Sequence, residues 1–322
     1  MDLFDSLKSK IDGKNLTIVL PEGEDPRILG AATRLVKENI LKPILIGDET
    51  EIKKIAEEKS FDLADIQILD PKHYADFEIM VEKFVERRKG KNTKEQAETM
   101  LLDNNYFGTM LVYMGLADGM VSGAIHSTGD TVRPALQIVK TAPGNSRISG
   151  SFIMQKGDER YMFADCAINI NPNAQELAEI AVQTAHDAKL FDIDPKVAML
   201  SFSTKGSAKS DDVTKVVEAT KIAHELAPDL PLDGELQFDA AFVPSVGAQK
   251  APGSKVAGHA NVFVFPELQS ANIGYKIAQR FGGFEAIGPI LQGLAKPISD
   301  LSRGCNEEDV YKSAILTAAL AL

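Results

Sequence analysis

The sequence predicts an α/β protein of two domains, and three observations lead to this fold class. Short apolar, β-rich runs alternate with helical segments along most of the chain, which implies mostly parallel sheets covered by helices on both faces. The alternation is interrupted once, near residue 147, by a predicted antiparallel hairpin. The 322 residues are enough for two domains. Because no flexible linker separates the two parts, we expect tightly apposed domains with a cleft between them.

The first strand and the helix after it have the clearest sequence boundaries. Residues 16–20 are apolar and β-rich, and the turn 21–23 ends them. Asp25 is suited to cap the next helix, with Pro26 at its first position and its end near Asn39. Further elements are predicted up to residue 144: strands at 43–46 and 120–124, and helices at about 49–58, 74–89, 93–103, 106–116 and 130–141.

The predicted hairpin marks the start of the second domain. Two β-rich runs, 148–155 and 160–165, surround the sequence Lys-Gly-Asp-Glu, a pattern typical of a hairpin. An antiparallel unit within a parallel α/β chain indicates a change of domain. Alternation then resumes, with strands at 197–202 and 261–265, helices at 211–226 and 267–280, and a last helix beginning near Asn306.

Composition and charge exclude several classes of protein. The chain has 35 Lys and Arg against 46 Asp and Glu, a formal net charge of −11. Such an acidic chain is poorly suited to nucleic acid, although it can bind a small polyanion where basic residues gather. Two cysteines provide neither a disulfide framework nor a zinc site. No basic, apolar leader and no run of about 18 apolar residues is present, so we expect a cytoplasmic protein without a membrane partner.

The segment 302–309, Ser-Arg-Gly-Cys-Asn-Glu-Glu-Asp, leads into the last helix and has two interpretations. In the structural one, Asn306 caps the helix and Asp309 bonds back to the Asn306 amide in a capping box. In the functional one, Ser302 and Arg303 bind an anion at the helix start, with Arg303 supplying a forked cation. Cys305 beside Arg303 is a weaker candidate for an activated thiol, because no base is evident nearby.

The segment 126–134 is a second strand-to-helix turn. Ser127, Thr128 and Gly129 would let a phosphate approach the backbone closely, but the hydroxyl residues could instead only cap the helix. Arg133 is unusual in either case, because a cation near a helix start opposes the dipole. A bound anion would explain it.

Two further segments have site-like character. Residues 201–207, which include Lys205 and Ser207, follow an apolar strand and resemble a phosphate-binding loop in polarity, without P-loop spacing. They can equally form an ordinary βα loop. Residues 86–91, which include Arg87, are the densest basic run; they fit a solvated helix end or a local patch for a polyanion.

Three sequence blocks resemble those of phosphate acetyltransferases, within the phosphate acetyl/butyryltransferase family. They are HSTGDTVRPALQIVKTAPG at 126–144, NVFVFPELQSANIGYK at 261–276 and GPILQGLAKPISDLSRGC at 288–305. The resemblance extends from residue 16 to the C-terminus, and blocks this long and in this order are highly specific. Ala295, Ile298 and Ser299 depart from the Asn and Val-Asn of the family, but the Ser-Arg pair is intact.

The resemblance implies a fold and an assembly. Family members have two α/β/α domains, related to isocitrate and isopropylmalate dehydrogenases, with the active site in the interdomain cleft, and they form homodimers. Their C-terminal segment returns to the first domain. We therefore predict a first domain of residues 1–147 plus 301–322 and a second of residues 148–300.

The resemblance also implies substrates and site residues. The substrates are coenzyme A, acetyl phosphate and inorganic phosphate, and neither a metal nor another cofactor is needed. The family's catalytic residues fall on Ser302, Arg303 and Asp309, and its coenzyme A-contacting arginines on Arg133 and Arg87. Our candidates for gripping phosphate are the two polar turns, with the residues Ser127, Thr128, Gly129, Lys205 and Ser207.

The family mechanism is direct attack of the coenzyme A thiol on the carbonyl of acetyl phosphate, with Asp309 as base. An ordinary Asp has a pKa near 3.9 and a thiol near 8.5, so full proton transfer is uphill by about 6 kcal/mol. The site must therefore bury Asp309, stabilise the thiolate, or both. Arg303 can stabilise the thiolate and Ser302 can donate to the carbonyl oxyanion.

Three other functions remain open. Phosphate butyryltransferase activity would need only a larger acyl pocket, and each methylene contributes only about 0.8 kcal/mol. An oxidoreductase of the related dehydrogenase fold would need metal-binding carboxylates and a nicotinamide site; we find no such cluster, and the first turn lacks the G-x-G-x-x-G pattern. A non-catalytic acetyl-CoA-binding regulatory module is the third, which the intact Ser302, Arg303 and Asp309 set disfavours.

Overall fold

The computed structural model describes residues 2–322, which form two α/β domains. The strands are β1 (Thr17–Leu20), β2 (Lys42–Ile46), β3 (Gln67–Leu69), β4 (Gly119–Ser122), β5 (Ser149–Lys156), β6 (Glu159–Ala164), β7 (Val197–Leu200), β8 (Leu232–Leu236), β9 (Val262–Val264), β10 (Glu285–Gln292) and β11 (Ile298–Asp300). The helices are α1 (Leu3–Ile11), α2 (Pro26–Lys37), α3 (Glu49–Lys59), α4 (Phe77–Arg88), α5 (Lys94–Leu101), α6 (Asn104–Tyr113), α7 (Thr128–Pro134), α8 (Ala174–Leu190), α9 (Asp211–Leu226), α10 (Phe238–Phe242), α11 (Pro244–Lys250), α12 (Leu268–Arg280) and α13 (Glu307–Ala319). Within this part of the chain, no helix combines the length and apolarity that a membrane span requires.

The first domain comprises Asp2–Ala142 and Leu294–Leu322. Its five strands form an all-parallel sheet in the order β11-β4-β1-β2-β3. Alternate strand residues face opposite sides, as a parallel sheet covered on both faces requires. Val19 and Met120 belong to the core beneath α4 to α6. On the other side, α13 packs against α2 and α1 and also contacts β4 and β1.

The second domain comprises Pro143–Gly293. Its six strands have the order β10-β5-β6-β9-β7-β8, in which β6, β9, β7 and β8 run parallel. The predicted hairpin is present, because β5 and β6 pair antiparallel around Gly157 and Asp158, with Gly157 at φ +59. β10 extends this antiparallel edge by pairing with β5.

The division into domains falls at 142/143 and 293/294, whereas the sequence predicts 147/148 and 300/301. The second difference has a clear cause. Strand β11 pairs in parallel with β4, through Ile298 with Met120 and Asp300 with Ser122, so it belongs to the first sheet. The chain therefore returns to the first domain before the catalytic candidates, through a strand that the sequence pattern did not reveal.

The helix predicted at 130–141 differs from the observed one. Helix α7 begins at Thr128, and a π-helical turn, Ala135–Val139, follows it. Pro134 has no N–H to donate to the carbonyl four residues earlier, which disfavours regular α-helical bonding at this point. The segment ends at Lys140, which has φ +66 and donates its N–H to the Ala135 carbonyl at 2.8 Å.

Candidate functional site

Three neighbouring strands of the first sheet, β11, β4 and β1, end at the same edge. Their loops are residues 301–306, 123–127 and 21–25. The chain leaves β1 towards β2 and β3, whereas β4 lies on the other side of β1, so the strand order reverses here. In open α/β sheets, ligands bind outside the carboxyl ends of the strands at such a switch point. Three of the ten sequence-predicted site residues, Ser302, Arg303 and Ser127, lie on these loops. Thr128, Gly129 and Asp309 lie in the first turns of the helices that follow.

The loop after β4 is built around the buried carboxylate of Glu22. Glu22 accepts hydrogen bonds from the backbone N–H groups of residues 123–126 at 2.8–3.1 Å, and its Oε1 lies 2.7 Å from His126 Nδ1. Burial raises the pKa of Glu22, but the bonds from His126 and the backbone outweigh burial and lower it. The partnership in turn raises the pKa of His126. These N–H groups are therefore already satisfied, and an anion at this edge must be bound by other groups.

Arg27 joins the loop after β4 to the loop after β11. One guanidinium nitrogen donates to the backbone carbonyls of Arg303, at 3.0 Å, and Cys305, at 2.9 Å. The other terminal nitrogen donates to the Ala124 carbonyl at 2.9 Å and to Asp25 at 2.8 Å. Arg27 thus fixes the backbone on which the Arg303 side chain is mounted.

Ser302 and Arg303 are both exposed in the loop after β11. Ser302 Oγ accepts the Gly304 N–H at 3.2 Å, so its own proton remains available for donation. Within residues 2–322 the Arg303 side chain has no hydrogen-bond or ion-pair partner. An unpaired guanidinium on a backbone anchored by Arg27 can receive an anionic group without first breaking an internal bond.

Asp309 closes the capping box that the sequence suggested. Its Oδ2 accepts the Asn306 N–H at 2.9 Å, and its own N–H donates to Asn306 Oδ1 at 3.0 Å. The side chain is exposed rather than buried. A cap does not exclude a second role, because the second carboxylate oxygen remains free to accept a proton.

The turn at residues 127–129 offers fewer free hydrogen-bonding groups than its sequence suggests. Ser127 Oγ donates to Asp130 Oδ2 at 2.7 Å, within the capping box of α7. Thr128 Oγ1 donates to Asp300 Oδ2 at 2.6 Å. Gly129 borders open space, since a Cβ there would meet only Ser127 Oγ, at 3.7 Å. Close backbone approach by a ligand is therefore sterically possible at Gly129.

Arg87 and Arg133 differ sharply in their surroundings. Arg87 donates to the carbonyls of Ile138, at 2.6 Å, and Val139, at 2.9 Å, and lies over the Tyr113 ring. It thereby supports the end of the π-helical turn. Arg133 is exposed and has no such bond among the described residues. A direct role in ligand binding therefore fits Arg133 better than Arg87.

A basic patch extends from α7 to the end of that turn. We use this name for Arg88, Lys89, Lys91, Arg133 and Lys140. Arg88 donates to the Gln137 carbonyl at 3.4 Å, which brings the end of α4 against the turn that leads to Lys140. Burial first, and then the charges of Arg87, Lys89, Lys91 and Arg88, lower the pKa of Lys140. None of the three lysines forms an ion pair within the described chain.

Lys205 and Ser207 lie in the second domain, in the loop after β7, where internal partners occupy their polar groups. Lys205 Nζ pairs with Asp233 and donates to the Gly234 carbonyl at 2.9 Å. Ser207 Oγ accepts the Thr204 N–H at 3.0 Å. The loop also encloses the buried Glu235, which accepts the Gly206 N–H at 2.7 Å. These contacts favour the interpretation as an ordinary βα loop.

The structure also shows the surroundings of Cys305 and Ser299, two residues noted in the sequence. Cys305 is buried, and burial raises the pKa of its thiol, which does not favour an activated thiolate. Ser299, one of the departures from the family pattern, is buried on β11 with its hydroxyl 2.6 Å from Thr317 Oγ1. This departure therefore faces helix α13 rather than the loops.

Glu22, Arg27 and Asp300 help to form the site but were not predicted from the sequence. All three lie in or next to turns at strand ends, where acidic and basic residues usually face solvent. Their partners are 101 to 278 residues away in sequence. The available signal was an Asp at the end of the last short apolar run before Ser302, but that run was too short to be recognised as a strand.

Comparison with known proteins agrees with this architecture. The family model described as phosphate acetyl/butaryl transferase matches residues 2–318. A phosphate acetyltransferase of Bacillus subtilis is 63% identical over 100% of this chain and 99% of its own length. A phosphotransacetylase structure from Streptococcus pyogenes is 65% identical, with a TM-score of 0.98 over 99% of this chain and 98% of its own. EutD phosphotransacetylase from Staphylococcus aureus is 60% identical, with a TM-score of 0.96 over 100% and 98%.

The fold and these relatives define an acyltransferase enzyme with two α/β domains. The chain belongs to the phosphate acetyl/butaryl transferase family. The roles of individual site residues remain predictions.

Proposed function

We propose that this protein is a phosphate acetyltransferase that transfers an acetyl group reversibly between acetyl phosphate and coenzyme A. The relatives above 60% identity that carry this activity in their names support the proposal. The single structural observation that carries it is the exposed, unpaired Arg303 beside Ser302, on a backbone that Arg27 holds at the carboxyl edge of the first sheet. This arrangement suits a doubly charged phosphoryl group bonded to a carbonyl carbon.

The proposed reaction passes directly between the two substrates. The thiol of coenzyme A loses its proton and its sulfur attacks the acetyl carbonyl carbon. Ser302 donates a hydrogen bond to the carbonyl oxygen as negative charge develops there. The carbon–oxygen bond to phosphate then breaks, and inorganic phosphate leaves with the bonding electron pair, which Arg303 stabilises.

We assign the thiol proton to Asp309, through the carboxylate oxygen that the capping box leaves free. The Asp309 side chain is exposed and therefore accessible to the thiol. A cation beside the thiolate would lower the difference of about 6 kcal/mol that separates an ordinary carboxyl from a thiol. Arg303 is the cation placed to do this.

We propose that the basic patch binds the phosphates of coenzyme A. Coenzyme A carries about four negative charges, and a protein with a net charge of −11 needs a local excess of cations to hold them. Arg133 and the three lysines supply such an excess, and none of them forms an ion pair within the described chain. The patch follows α7 and its π-helical turn, so the same segment contributes Thr128 and Gly129 at one end and Lys140 at the other.

A coupled assay of acetyl-CoA formation from acetyl phosphate and coenzyme A tests the function directly. Acetyl and butyryl phosphate should be compared at equal concentration, and we expect the larger kcat/KM for acetyl phosphate. A larger value for butyryl phosphate would identify the butyryl enzyme, and no turnover of either would leave a non-catalytic module. A cytoplasmic location also remains a prediction.

We further propose a homodimer, supported by an apolar stripe on the second domain. Ile273 and Ile277 of α12 are 57% and 51% exposed, and Phe281 just after the helix is 91% exposed. Residues at this spacing share one helix face. Such exposed apolar stripes mark surfaces of association.

A further inference from the structure

A buried carboxylate, Asp300, ends strand β11 two residues before Ser302. The residue is 4% exposed. Its Oδ2 accepts the Thr128 hydroxyl at 2.6 Å, whereas Oδ1 has no hydrogen-bond partner among residues 2–322. Buried polar atoms are normally paired, and an unpaired one lowers stability. Stability alone therefore does not explain a carboxylate at this position.

Asp300 lies where the ends of β4 and β11 meet. The Leu301 N–H donates to the Ser122 carbonyl at 2.7 Å. Gly123 has φ +116, and a Cβ at this residue would come within 2.7 Å of Asp300 Oδ1 and 2.5 Å of the Leu301 carbonyl oxygen. Only glycine fits here, and its missing side chain makes room for the carboxylate. Asp300 thus contacts the loop after β4 while its own backbone continues into the loop after β11.

We propose that Asp300 is a positioning residue that, through its bond to Thr128, holds the turn at residues 127–129 in place relative to Ser302 and Arg303. The inference rests on the proposed function, because it assigns the phosphoryl end of acetyl phosphate to the space beside this turn. A misplacement of about 1 Å can cost 10²-fold in rate, so one such bond can matter to catalysis without touching substrate.

The effect of the Asp300 charge on stability distinguishes a positioning role from a merely structural one. Burial raises its pKa, and the nearby Glu22 carboxylate adds to the rise. The Thr128 hydroxyl, which donates to Oδ2, opposes the rise, and so does the Thr131 hydroxyl, which lies nearby without a hydrogen bond. A group with a raised folded pKa contributes stability below its unfolded pKa and loses that contribution as pH rises through the folded value. At neutral pH an uncharged isostere should therefore leave the fold unchanged or more stable, whereas a structural residue should lower stability when replaced.

The first experiment changes only the exposed partner, so folding is not at risk. Thr128→Val removes the hydroxyl, Thr128→Ser keeps it, and Thr99→Val is the control, because the exposed Thr99 hydroxyl bonds only its own helix. We expect Thr128→Val to lower kcat/KM for acetyl phosphate about tenfold, with KM for coenzyme A within about twofold of wild type. Thr128→Ser should recover most of the activity that Thr128→Val loses, and Thr99→Val should stay near wild type. Equal kinetics for the Val and Ser variants at residue 128 would overturn the proposal.

The second experiment tests Asp300 itself and includes a readout other than turnover. Asp300→Asn should lower kcat/KM for acetyl phosphate while its melting temperature at pH 7.5 stays equal or rises. Inorganic phosphate should raise the melting temperature of wild type and of Thr128→Ser, but raise that of Asp300→Asn and Thr128→Val much less. The double variant Asp300→Asn/Thr128→Val should be no slower than the slower single variant.

The outcomes distinguish this inference from the proposed function. If wild type forms no acetyl-CoA, the proposed function fails. If wild type is active but Asp300→Asn is destabilised with unchanged kcat/KM, Asp300 is only structural. Additive losses in the double variant would likewise reject a role exerted through Thr128.

Discussion

At the scale of single residues, the contrast between Arg27 and Arg303 explains how the loop after β11 can have a fixed backbone and still present a free cation. The Arg27 guanidinium donates hydrogen bonds to backbone carbonyls and to Asp25, whereas the Arg303 guanidinium has no partner within the described chain. The first arginine removes backbone freedom before a ligand arrives. The second can then meet an anion at a small entropic cost.

Replacement of Arg303 tests whether its free guanidinium contributes to turnover. We expect Arg303→Ala to lower kcat at least about 100-fold with an unchanged melting temperature, because the side chain has no internal partner. Arg303→Lys keeps the charge but not the forked donors, and should recover only part of the loss. Steady-state kinetics and thermal unfolding on the same preparations provide the check. A loss smaller than tenfold, or about 1.4 kcal/mol, would be too small for the proposed role.

Asp309→Asn distinguishes the base from the cap. Asn can still accept the Asn306 N–H, so we expect at most about 1 kcal/mol of lost stability. If Asp309 is the base, kcat should fall about 10²–10⁴-fold and recover partly between pH 6.5 and 9.5, as more of the thiol ionises unaided. Glu176 closes the same kind of capping box at α8 and also pairs with Arg147 at 2.5 Å, so Glu176→Gln sets an upper limit on the stability that such a cap contributes. Wild-type turnover in Asp309→Asn would show that Asp309 acts only as a helix cap.

The basic patch makes a prediction about the nucleotide end of coenzyme A. Arg133→Ala and Lys140→Ala should each raise KM for coenzyme A several-fold and leave KM for acetyl phosphate nearly unchanged, because they remove charge distant from bond breaking. The effect should shrink with added salt and with dephospho-coenzyme A as substrate. The control is Lys53→Ala, which removes a lysine that pairs with Glu49 on α3. A change confined to kcat would contradict the assignment.

At the scale of elements, Glu22 connects the end of β1 to the loop after β4. Its pKa is lowered, so its contribution to stability is present above the unfolded pKa and lost as pH falls through the folded one. His126 has a raised pKa, so its contribution is present at low pH and lost as pH rises through the folded value. The pair is therefore strongest between the ordinary pKa values of Glu and His, about 4.3 and 6.5.

Glu22→Gln should accordingly destabilise the protein by about 1–3 kcal/mol, since four backbone N–H groups lose a charged acceptor. The difference from wild type should be largest between about pH 4.3 and 6.5 and smaller on either side. Urea unfolding at pH 4, 5.5 and 8.5 measures it. His126→Asn is the companion variant, and it should remove the alkaline part of the dependence alone. A constant difference across pH would show that the charge of Glu22 is unimportant.

The sequence predicted those elements whose signals are local. The cap at Asp25, the hairpin at Gly157 and the capping box at Asn306 follow from neighbouring residues, and all are present. Helix α8 carries an equally clear box, Asn173 with Glu176, and was overlooked. Strand β11 has three residues, and only its pairing with β4 defines it. The contacts of Arg27 and Asp300 with the opposite loops depend on that pairing, and those of Glu22 depend on the pairing of β1 with β4, so no local pattern could reveal them.

At the scale of the whole molecule, the same hydrogen-bonding arrangement occurs at the carboxyl ends of both sheets. Buried carboxylates accept backbone N–H groups of loops: Glu22 accepts four in the first domain, and in the second Asp165 accepts several and Glu235 accepts one. Asp165 alone accepts four backbone N–H groups at 2.8–3.0 Å. Loops organised in this way need no anion to order them, which explains why the predicted phosphate-type loops offer few free backbone donors.

The apolar stripe on α12 predicts the state of association. Phe281→Glu together with Ile277→Glu should convert a dimer into monomers, because two charges would have to be buried without partners. Light scattering after gel filtration measures the mass. Leu226→Glu is the control, since Leu226 is similarly exposed at the end of α9. A wild-type protein that is already monomeric, or a double variant that stays dimeric, would reject this surface.

The return of residues 294–322 to the first sheet has a consequence for biosynthesis. The second domain, Pro143–Gly293, is continuous and can fold as soon as it emerges from the ribosome, whereas the first must wait for β11 and α13. Until then β4 remains an open edge strand, and the surfaces of α2 and α1 that α13 covers stay bare. Ser302, Arg303 and Asp309 arrive with the same last segment. A prematurely terminated chain would therefore lack both strand β11 and the residues to which we assign the chemistry.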